Sequence, residues 1–329
     1  MISKEQNFLT ARVIAQYRGK YRVAHAQNEY WAEMTGKMMY NAGSGGDHPV
    51  VGDLVNISSH EQDQAMIHEI LPRRTVLQRK APGKNEQQII AANIDAAFII
   101  QAVDRDFNLN RFDRYLTIIY DGNIEPLLVL NKTDLISAAE REEKVAQVKE
   151  RYRDIDIITT STVNKDGLAG LAGSLKKDKI YCLVGSSGVG KSSLINQLLG
   201  KDLLKTKEIS ISTHKGKHAT THRELFTLEN GAMVIDTPGI RELGIAAAES
   251  GMESVFDEVH ALAKKCKYTD CTHEQEPGCA VLAALSAGAF SKSKYLNYVK
   301  LKKEAAYYQM TALEKRKKII RSAKWSRIP

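Results

Sequence analysis

Gly185-Ser186-Ser187-Gly188-Val189-Gly190-Lys191-Ser192 is the stretch that decides the fold of this 329-residue chain. It matches the phosphate-binding loop pattern, and it stands between an apolar run that predicts a strand (residues 180–184) and a stretch that predicts a helix (191–199). Its glycines let backbone N–H groups approach phosphate oxygens, and the helix N-terminus adds positive potential. We expect Lys191 to reach the β- and γ-phosphates and the Ser192 hydroxyl to bind Mg²⁺, with Ser193 beside it in the nucleotide site.

A second motif indicates which base the site binds. Asn131-Lys132-Thr133-Asp134 follows the apolar run 126–130. The Asp134 carboxylate can accept hydrogen bonds from the ring N–H and the exocyclic amine of guanine, a donor pair that adenine lacks. We expect Lys132 to lie along the base and Asn131 to tie the loop together and reach the ring nitrogen. Ser161 and Thr162, after another apolar run, are weaker candidates for a backbone contact to the guanine oxygen.

The remaining phosphate elements follow the P-loop. Asp236-Thr237-Pro238-Gly239 comes after the apolar run 233–235, so we expect Asp236 to hold Mg²⁺ through water and the Gly239 N–H to sense the γ-phosphate. Between them lies Gly216-Lys217-His218-Ala219-Thr220-Thr221, where a threonine should close over Mg²⁺. We favour Thr220, with Thr221 as the alternative.

The order of these motifs is unusual, because ordinary GTPases carry the phosphate elements before the guanine elements. Here the guanine elements come first, which indicates a circularly permuted domain whose original ends are joined at about residues 170–179. The cut then falls just after Gly239. The γ-phosphate sensor therefore leads directly into the C-terminal part of the chain.

Alternation of apolar runs with helical stretches from about residue 87 predicts βαβ units and a mostly parallel sheet. The first 75 residues instead show short alternating runs at 11–17, 21–26, 30–34 and 50–57, which predict a small closed barrel, an OB-fold first and an SH3-like barrel second. Near residue 246 helices without strands begin. We therefore expect a barrel at 1–75, a permuted GTPase domain at 76–245 and a helical domain at 246–329.

Three cysteines and a histidine cluster in the third region as Cys266-x4-Cys271-x-His273-x5-Cys279. Four such ligands close a tetrahedral zinc site, and a site without an open position is structural. The alternative is that the cysteines are core residues or free thiols. Since clustered cysteines in an intracellular chain favour a metal, we expect one structural Zn²⁺ per chain. Cys182, in the strand before the P-loop, is interpreted as a core residue.

Charge and composition indicate the partner and the compartment. The net charge is +8, and the chain ends in a basic tail, which favours a polyanionic partner. On the barrel, a set of basic and aromatic residues would suit RNA: Arg12, Tyr17, Arg18, Lys20, Tyr21, Arg22 and Trp31. Neither a signal peptide nor an apolar run of membrane-spanning length is evident, so we expect a cytoplasmic protein without a membrane partner.

Together these features resemble the ribosome small subunit-dependent GTPase A family: the permuted motif order, the P-loop, Asn-Lys-Thr-Asp, Asp-Thr-Pro-Gly-Ile, the barrel and the Cys/His cluster. The resemblance covers nearly the whole chain. It implies an OB-fold, a permuted GTPase domain and a zinc domain with helices. It also implies binding to the small ribosomal subunit in late assembly, and GTP hydrolysis to GDP that the subunit stimulates. We expect the contact to be made through 16S rRNA, by a monomer.

The chain departs from the family pattern at two positions. Ala219 stands where the family usually has the first of three threonines, and Ser186 stands where glutamine is common. The first departure leaves the choice between Thr220 and Thr221 open. We expect little consequence from the second, because that position is not required for phosphate binding.

Two other functions are compatible with part of the pattern. One is an RNA-binding assembly factor whose nucleotide site is only structural, which intact Lys191, Ser192 and Asp236 disfavour. The other is a GTPase that acts on tRNA, which the permuted order and the zinc cluster disfavour.

GTP hydrolysis also needs a residue that orients the attacking water. Many GTPases place a glutamine directly after the Asp-x-x-Gly element. Ile240 occupies that position here and can form no hydrogen bond through its side chain. His218 is the nearest polar candidate, and a contact of His218 with rRNA is the alternative.

Replacing Asp134 with Asn is a direct test of the base-reading loop. The change exchanges an acceptor for a donor, so nucleotide preference should move from guanine toward xanthine. Equilibrium titration with GTP and XTP measures this. GTP binding by Asp134→Asn as tight as that of the parent would contradict the assignment.

Overall fold

The computed structural model describes residues 8–43, 45–60, 63–80, 87–104, 107–200, 223–236, 248–310 and 314. Its first part is a five-stranded barrel with a short helix, α1 (Gly36–Asn41), between the third and fourth strands. The strands are β1 (Leu9–Gln16), β2 (Tyr21–His25), β3 (Asn28–Met34), β4 (Leu54–His60) and β5 (Gln64–Ile70). Their order is β1-β2-β3-β5-β4, and β4 pairs back with β1, which closes the barrel. This five-stranded closure confirms the OB-fold.

Alternating side chains of these strands fill the barrel, as the period of two requires. Val13, Val23, Val55, Ile57 and Ile67 are buried in one cluster. The predicted strand at 50–57 begins only at Leu54, because residues 50–53 form a turn. In that turn Asp53 Oδ2 accepts a hydrogen bond from Val50 N at 2.8 Å, and Asp53 N donates to Val50 O at 3.1 Å.

The central part alternates strands and helices, as the sequence predicts. It begins with a separate antiparallel pair, β6 (Val76–Lys80) and β7 (Gln87–Ala92), which the sequence analysis missed. The strands of the main sheet are β8 (Ala96–Ala102), β9 (Glu125–Asn131), β10 (Ile157–Thr160), β11 (Ile180–Val184), β12 (Arg223–Thr227) and β13 (Met233–Asp236). Its helices are α2 (Leu109–Asp121), α3 (Ala138–Arg151), α4 (Leu168–Gly173) and α5 (Lys191–Leu199). The strand order is β10-β9-β8-β11-β13-β12, parallel except for β12.

This order creates a crevice at the carboxyl edge of the sheet. From β8 the chain builds outward to β9 and β10, and from β11 it builds outward in the opposite direction to β13. The loops after β8 and β11 therefore diverge at a topological switch point, where open α/β sheets bind ligands. The P-loop follows β11 and lies at this point.

The barrel and the central sheet are continuous. β1 pairs with β12, with Ala15 opposite Glu224 and Gln16 opposite Arg223, so that eleven of the described strands form one sheet. The sequence pattern predicts two separate domains, since it contains no signal for pairing between strands about 200 residues apart. The pairing covers an edge of β12 that would otherwise expose unpaired backbone groups.

A second junction between the barrel and the central part lies at Gly52. Its φ is +94°, and a Cβ atom there would lie 2.0 Å from the carbonyl oxygen of Ala92. Ala92 N donates to Val51 O at 3.0 Å, and the buried Asp53 carboxylate pairs with Arg73 at 2.8 Å. The backbones therefore meet in direct contact, which requires glycine.

The described C-terminal helices are α6 (Glu249–Val255), α7 (Asp257–Ala263), α8 (Ala280–Ser286) and α9 (Lys292–Gln309). They share one hydrophobic core with α2, including Phe112, Phe256 and Leu301. Among the helices of the described ranges, none is long and apolar enough to cross a membrane. The basic tail that the sequence analysis singled out lies outside the described residues, except for Glu314.

A buried carboxylate fixes this helical region to the central sheet. Asp113 in α2 is fully buried, and it pairs with Arg151 at the end of α3. Tyr152 Oη donates to it at 2.6 Å, and Asn297 Nδ2 in α9 donates at 2.7 Å. A buried charge is tolerated when it is paired and hydrogen-bonded, so these partners specify how α2, α3 and α9 fit together.

A close approach between α6 and α2 gives a test of this packing. An ideal Cβ at Gly251 would lie 1.8 Å from the carbonyl oxygen of Thr117. Gly251→Ala should therefore separate the helices and destabilise the protein by about 1–3 kcal/mol, measured as a lower midpoint of urea unfolding by circular dichroism. Gly170→Ala in α4 is the matched control, because no atom lies within 4 Å of its Cβ position. Equal midpoints for the two variants would contradict the proposed contact.

Candidate nucleotide and metal sites

The P-loop has the backbone conformation that its glycines predict. Gly185 has φ +151°, and a Cβ there would lie 2.3 Å from Ile100 O. Gly190 has φ +99° and precedes α5, with a Cβ position 2.3 Å from Asn131 Nδ2. Side chains are excluded at both positions by neighbouring atoms as well as by the backbone angle. Ser187 and Gly188 are exposed, whereas Val189 packs into the core beneath the loop.

Lys191 lies over this loop. Its Nζ donates to Gly185 O at 2.8 Å and to Ser186 O at 2.7 Å. The ammonium group is thus held at the mouth of the loop, next to the first turn of α5. Ser192 and Ser193 lie in that turn and are half-buried. A lysine and a hydroxyl at a helix N-terminus are the groups that a phosphate with its magnesium ion requires.

The side chain of Asn131 joins three loops. Asn131 ends β9 and is fully buried. Its Nδ2 donates to Val189 O in the P-loop at 2.8 Å, and its Oδ1 accepts from Thr160 Oγ1, at the end of β10, at 2.9 Å. The sequence analysis expected Asn131 to tie its own loop together. In the structure it also ties that loop to the P-loop.

Asp134 has a partner that orients its carboxylate. The Ser161 hydroxyl donates to Asp134 Oδ1 at 2.5 Å and accepts from Val163 N at 3.1 Å. Thr133 is buried and donates through Oγ1 to Thr160 O at 3.2 Å. Asp134 itself is exposed, so its edge is open to a ligand, while Thr162 is half-buried beside Ser161. The structure therefore brings the two predicted base-reading loops together.

Asp236 ends β13, next to the P-loop strand. Burial raises the pKa of its carboxyl group, the nearby Lys191 ammonium opposes this shift, and Glu224 adds to it. Burial disfavours the ionised form, which a divalent cation would stabilise. Asp236 and the Ser192 hydroxyl therefore fit a Mg²⁺ ion. The other predicted members of this site, His218, Thr220, Thr221 and Gly239, lie outside the described residues.

The four predicted zinc ligands converge. The ligand atoms of Cys266, Cys271, His273 and Cys279 all lie within 4.8 Å of one another. Cys266 Sγ and Cys279 Sγ are 3.9 Å apart, and each is 3.6 Å from His273 Nδ1. Tetrahedral zinc with its usual bond lengths separates two sulfurs by about 3.8 Å, and a sulfur from a nitrogen by about 3.5 Å. The donor set and its spacing therefore fit Zn²⁺.

The loop that carries these ligands is held from two sides. Tyr295 Oη in α9 donates to His273 O at 2.7 Å. The Glu276 carboxylate accepts from the backbone N–H groups of Thr272, Glu274 and Gln275 at 2.9–3.1 Å. The sequence analysis missed both residues, since neither is a ligand and neither stands in a motif.

Two further contacts near the P-loop and the base-reading loop were also missed. Tyr115 in α2 brings its hydroxyl to 3.5 Å from Ser186 Oγ. Asp104, just beyond β8, lies 3.7 Å from Lys132 Nζ. The position of Asp104 after a buried strand of a parallel sheet was the only available signal, because such positions meet at one edge.

The barrel surface differs in part from the prediction. Tyr21 is buried and contacts Met34 Sδ, so its place on an RNA surface was wrong; it belongs to the inward-facing set of β2. Trp31 is 40% exposed, with the Arg22 guanidinium 4.9 Å from its ring centre and the Tyr17 ring at 5.2 Å. These three form an aromatic and cationic group on the barrel exterior.

Comparison with known proteins agrees with this architecture. The family model described as RsgA GTPase matches residues 70–246. "Small ribosomal subunit biogenesis GTPase RsgA 2" from Lactiplantibacillus plantarum is 43% identical over 306 residues, which are 93% of this chain and 86% of that protein. "Small ribosomal subunit biogenesis GTPase RsgA" from Opitutus terrae is 41% identical over 313 residues, 92% of this chain and 85% of that protein.

Solved structures show the same fold. The crystal structure of YjeQ from Thermotoga maritima aligns with a TM-score of 0.67 and 26% identity, over 91% of this chain and 99% of that one. That of YloQ, described as a circularly permuted GTPase, aligns with a TM-score of 0.67 and 24% identity, over 94% of this chain and 99% of that one. Since the family model covers more than half of the sequence and the relatives extend over nearly all of it, the chain belongs to the RsgA GTPase family.

Proposed function

We propose that this GTPase acts in the late assembly of the small ribosomal subunit and binds to the subunit through 16S rRNA. We also propose that the subunit stimulates its hydrolysis of GTP to GDP and phosphate. One observation supports the proposal that the chain binds GTP: Asn131, in the base-reading loop, is hydrogen-bonded both to the P-loop and to the end of β10. The relatives named as small ribosomal subunit biogenesis GTPases support the assembly role.

We assign the following roles in the nucleotide site. The P-loop (Gly185–Ser193) holds the phosphates, with Lys191 placed at the β- and γ-phosphates. Asp134 reads the guanine edge, Lys132 lies along the base, and the loop at Ser161 and Thr162 contacts the guanine oxygen. Magnesium, which compensates phosphate charge when bound, would be held by Ser192 and Asp236 together with Thr220.

RNA contact is assigned to the barrel face around Trp31. Bases stack on exposed aromatic rings, and a neighbouring guanidinium adds attraction for both the base and the phosphate. The net charge of +8 favours association with the same polyanion. We assign this role to residues 1–75, the GTPase reaction to 76–245 and the zinc site to 246–329, in a monomeric cytoplasmic protein.

The assembly role is tested by phosphate release from GTP with and without purified small subunits. We expect slow hydrolysis by the protein alone and a large increase with subunits, but no increase with tRNA. Stimulation by tRNA instead would favour the tRNA-directed alternative. Absence of hydrolysis under both conditions would favour an assembly factor whose nucleotide site is structural.

The water-orienting role of His218 is tested in the same assay. His218→Ala should abolish subunit-stimulated turnover while GTP affinity and co-sedimentation with subunits stay unchanged, because the imidazole acts on the attacking water rather than on binding. His214→Ala is a control outside the predicted switch motif and should behave like the parent. Near-normal stimulated turnover in His218→Ala would assign the missing group to the ribosome.

Zinc content gives a further prediction. Elemental analysis should find one zinc ion per chain, and Cys279→Ser should lose most of it, since the site needs all four ligands. Cys182→Ala, which changes a buried cysteine of β11 away from the cluster, should retain one zinc. Because the helices share their core with α2, zinc loss should also lower the unfolding midpoint of the central part. Protein purified without chelators that contains no zinc would contradict the assignment.

A further inference from the structure

Asp104 faces the base-reading loop from the neighbouring strand. It lies two residues beyond the end of β8, which pairs with β9 along its length. Its Oδ2 lies 3.7 Å from Lys132 Nζ, and the two side chains are 33% and 23% exposed. The pair is therefore only partly hydrated and is screened less than an ion pair on the open surface.

The backbone on the Asp104 side of this pair is fixed. Val103 N donates to Asn131 O at 3.0 Å, which joins the two loops directly next to the pair. The buried Gln101 side chain donates to Asn108 O and accepts from Asn108 N, both at 2.9 Å. Phe107 N donates to Asp104 O at 3.1 Å. Hydrogen bonds to described residues on both sides of Asp104 therefore hold its backbone near Lys132.

The backbone on the Lys132 side is fixed as well. Lys132 has φ +64°, a left-handed conformation that is uncommon for a residue with a side chain. This angle sets the direction in which the side chain leaves the loop. The four-carbon stem beyond it still has considerable rotamer freedom. If no other group holds the ammonium group, the stem loses this rotamer freedom when a base binds, and the loss weakens nucleotide affinity.

We propose that Asp104 is a positioning residue for the nucleotide base. It holds the Lys132 ammonium so that the stem already lies along the base face before the nucleotide arrives. This inference rests on the proposed function of the Asn131–Asp134 loop. Since the stem touches the face of the base and not its edge, Asp104 contributes to nucleotide affinity and leaves the choice between guanine and xanthine to Asp134.

The test is the affinity and the dissociation rate of GDP, measured with a fluorescent ribose-labelled GDP. Asp104→Asn preserves the size of the side chain and removes its charge. It should weaken GDP binding about two- to fivefold, the range for partly exposed ion pairs, through faster dissociation. The ratio of GTP to XTP affinity should stay that of the parent, whereas Asp134→Asn changes this ratio.

Two further variants separate positioning from general damage. Glu125→Gln removes an exposed carboxylate at the opposite end of β9 and should leave GDP affinity unchanged. Lys132→Met keeps an apolar stem without the ammonium group, so adding Asp104→Asn to it should weaken binding no further. The inference would be overturned if Asp104→Asn bound GDP as tightly as Glu125→Gln does. It would also be overturned if Asp104→Asn weakened GDP binding as much in the Lys132→Met variant as it does in the parent. Failure of the parent chain to bind GDP would overturn the proposed function itself.

Discussion

The side-chain amide of Asn131 is buried between the end of β9, the end of β10 and the P-loop, and it is hydrogen-bonded to both of its neighbours. A buried amide that lost these partners would cost about 1–3 kcal/mol, so each loop is constrained by the others. Its position also explains Gly190, where a Cβ would collide with the amide nitrogen. The loop that begins at Asn131, the end of β10 and the P-loop are therefore one hydrogen-bonded unit.

Chain order matters little to this unit, because the parallel sheet delivers each loop to the same edge. β8 and β11 are neighbours in space although three α-helices and two other strands separate them in the chain. A permuted sequence can thus build the same crevice as an unpermuted one. The consequence lies at the ends: β12 pairs with β1 of the barrel, and the C-terminal helices follow β13 in the chain.

Both outer regions are joined to the centre by contacts that resist independent movement. The barrel is attached through the β1–β12 pairing and the close contact of Gly52 with Ala92. The C-terminal helices share a core with α2, and Asn297 donates to the buried Asp113. The loop from Cys266 to Cys279, whose four donor groups fit zinc, is tied to the same helix α9 by Tyr295. A change in the central part is therefore expected to reach either outer region through packed elements rather than through a flexible linker.

The sequence by itself determined the motifs, their permuted order, the three kinds of structure along the chain and the cluster of three cysteines and a histidine that fits zinc. These are local properties, because glycine spacing, alternation of apolar residues and clustered thiols act within a few residues of one another. It did not determine that Tyr21 is buried, that β1 extends the central sheet, or that Asp104 meets Lys132 and Glu276 organises the zinc loop. Those facts depend on pairings and contacts whose partners carry no mark in the sequence, and only the packing of strands and helices against one another decides them.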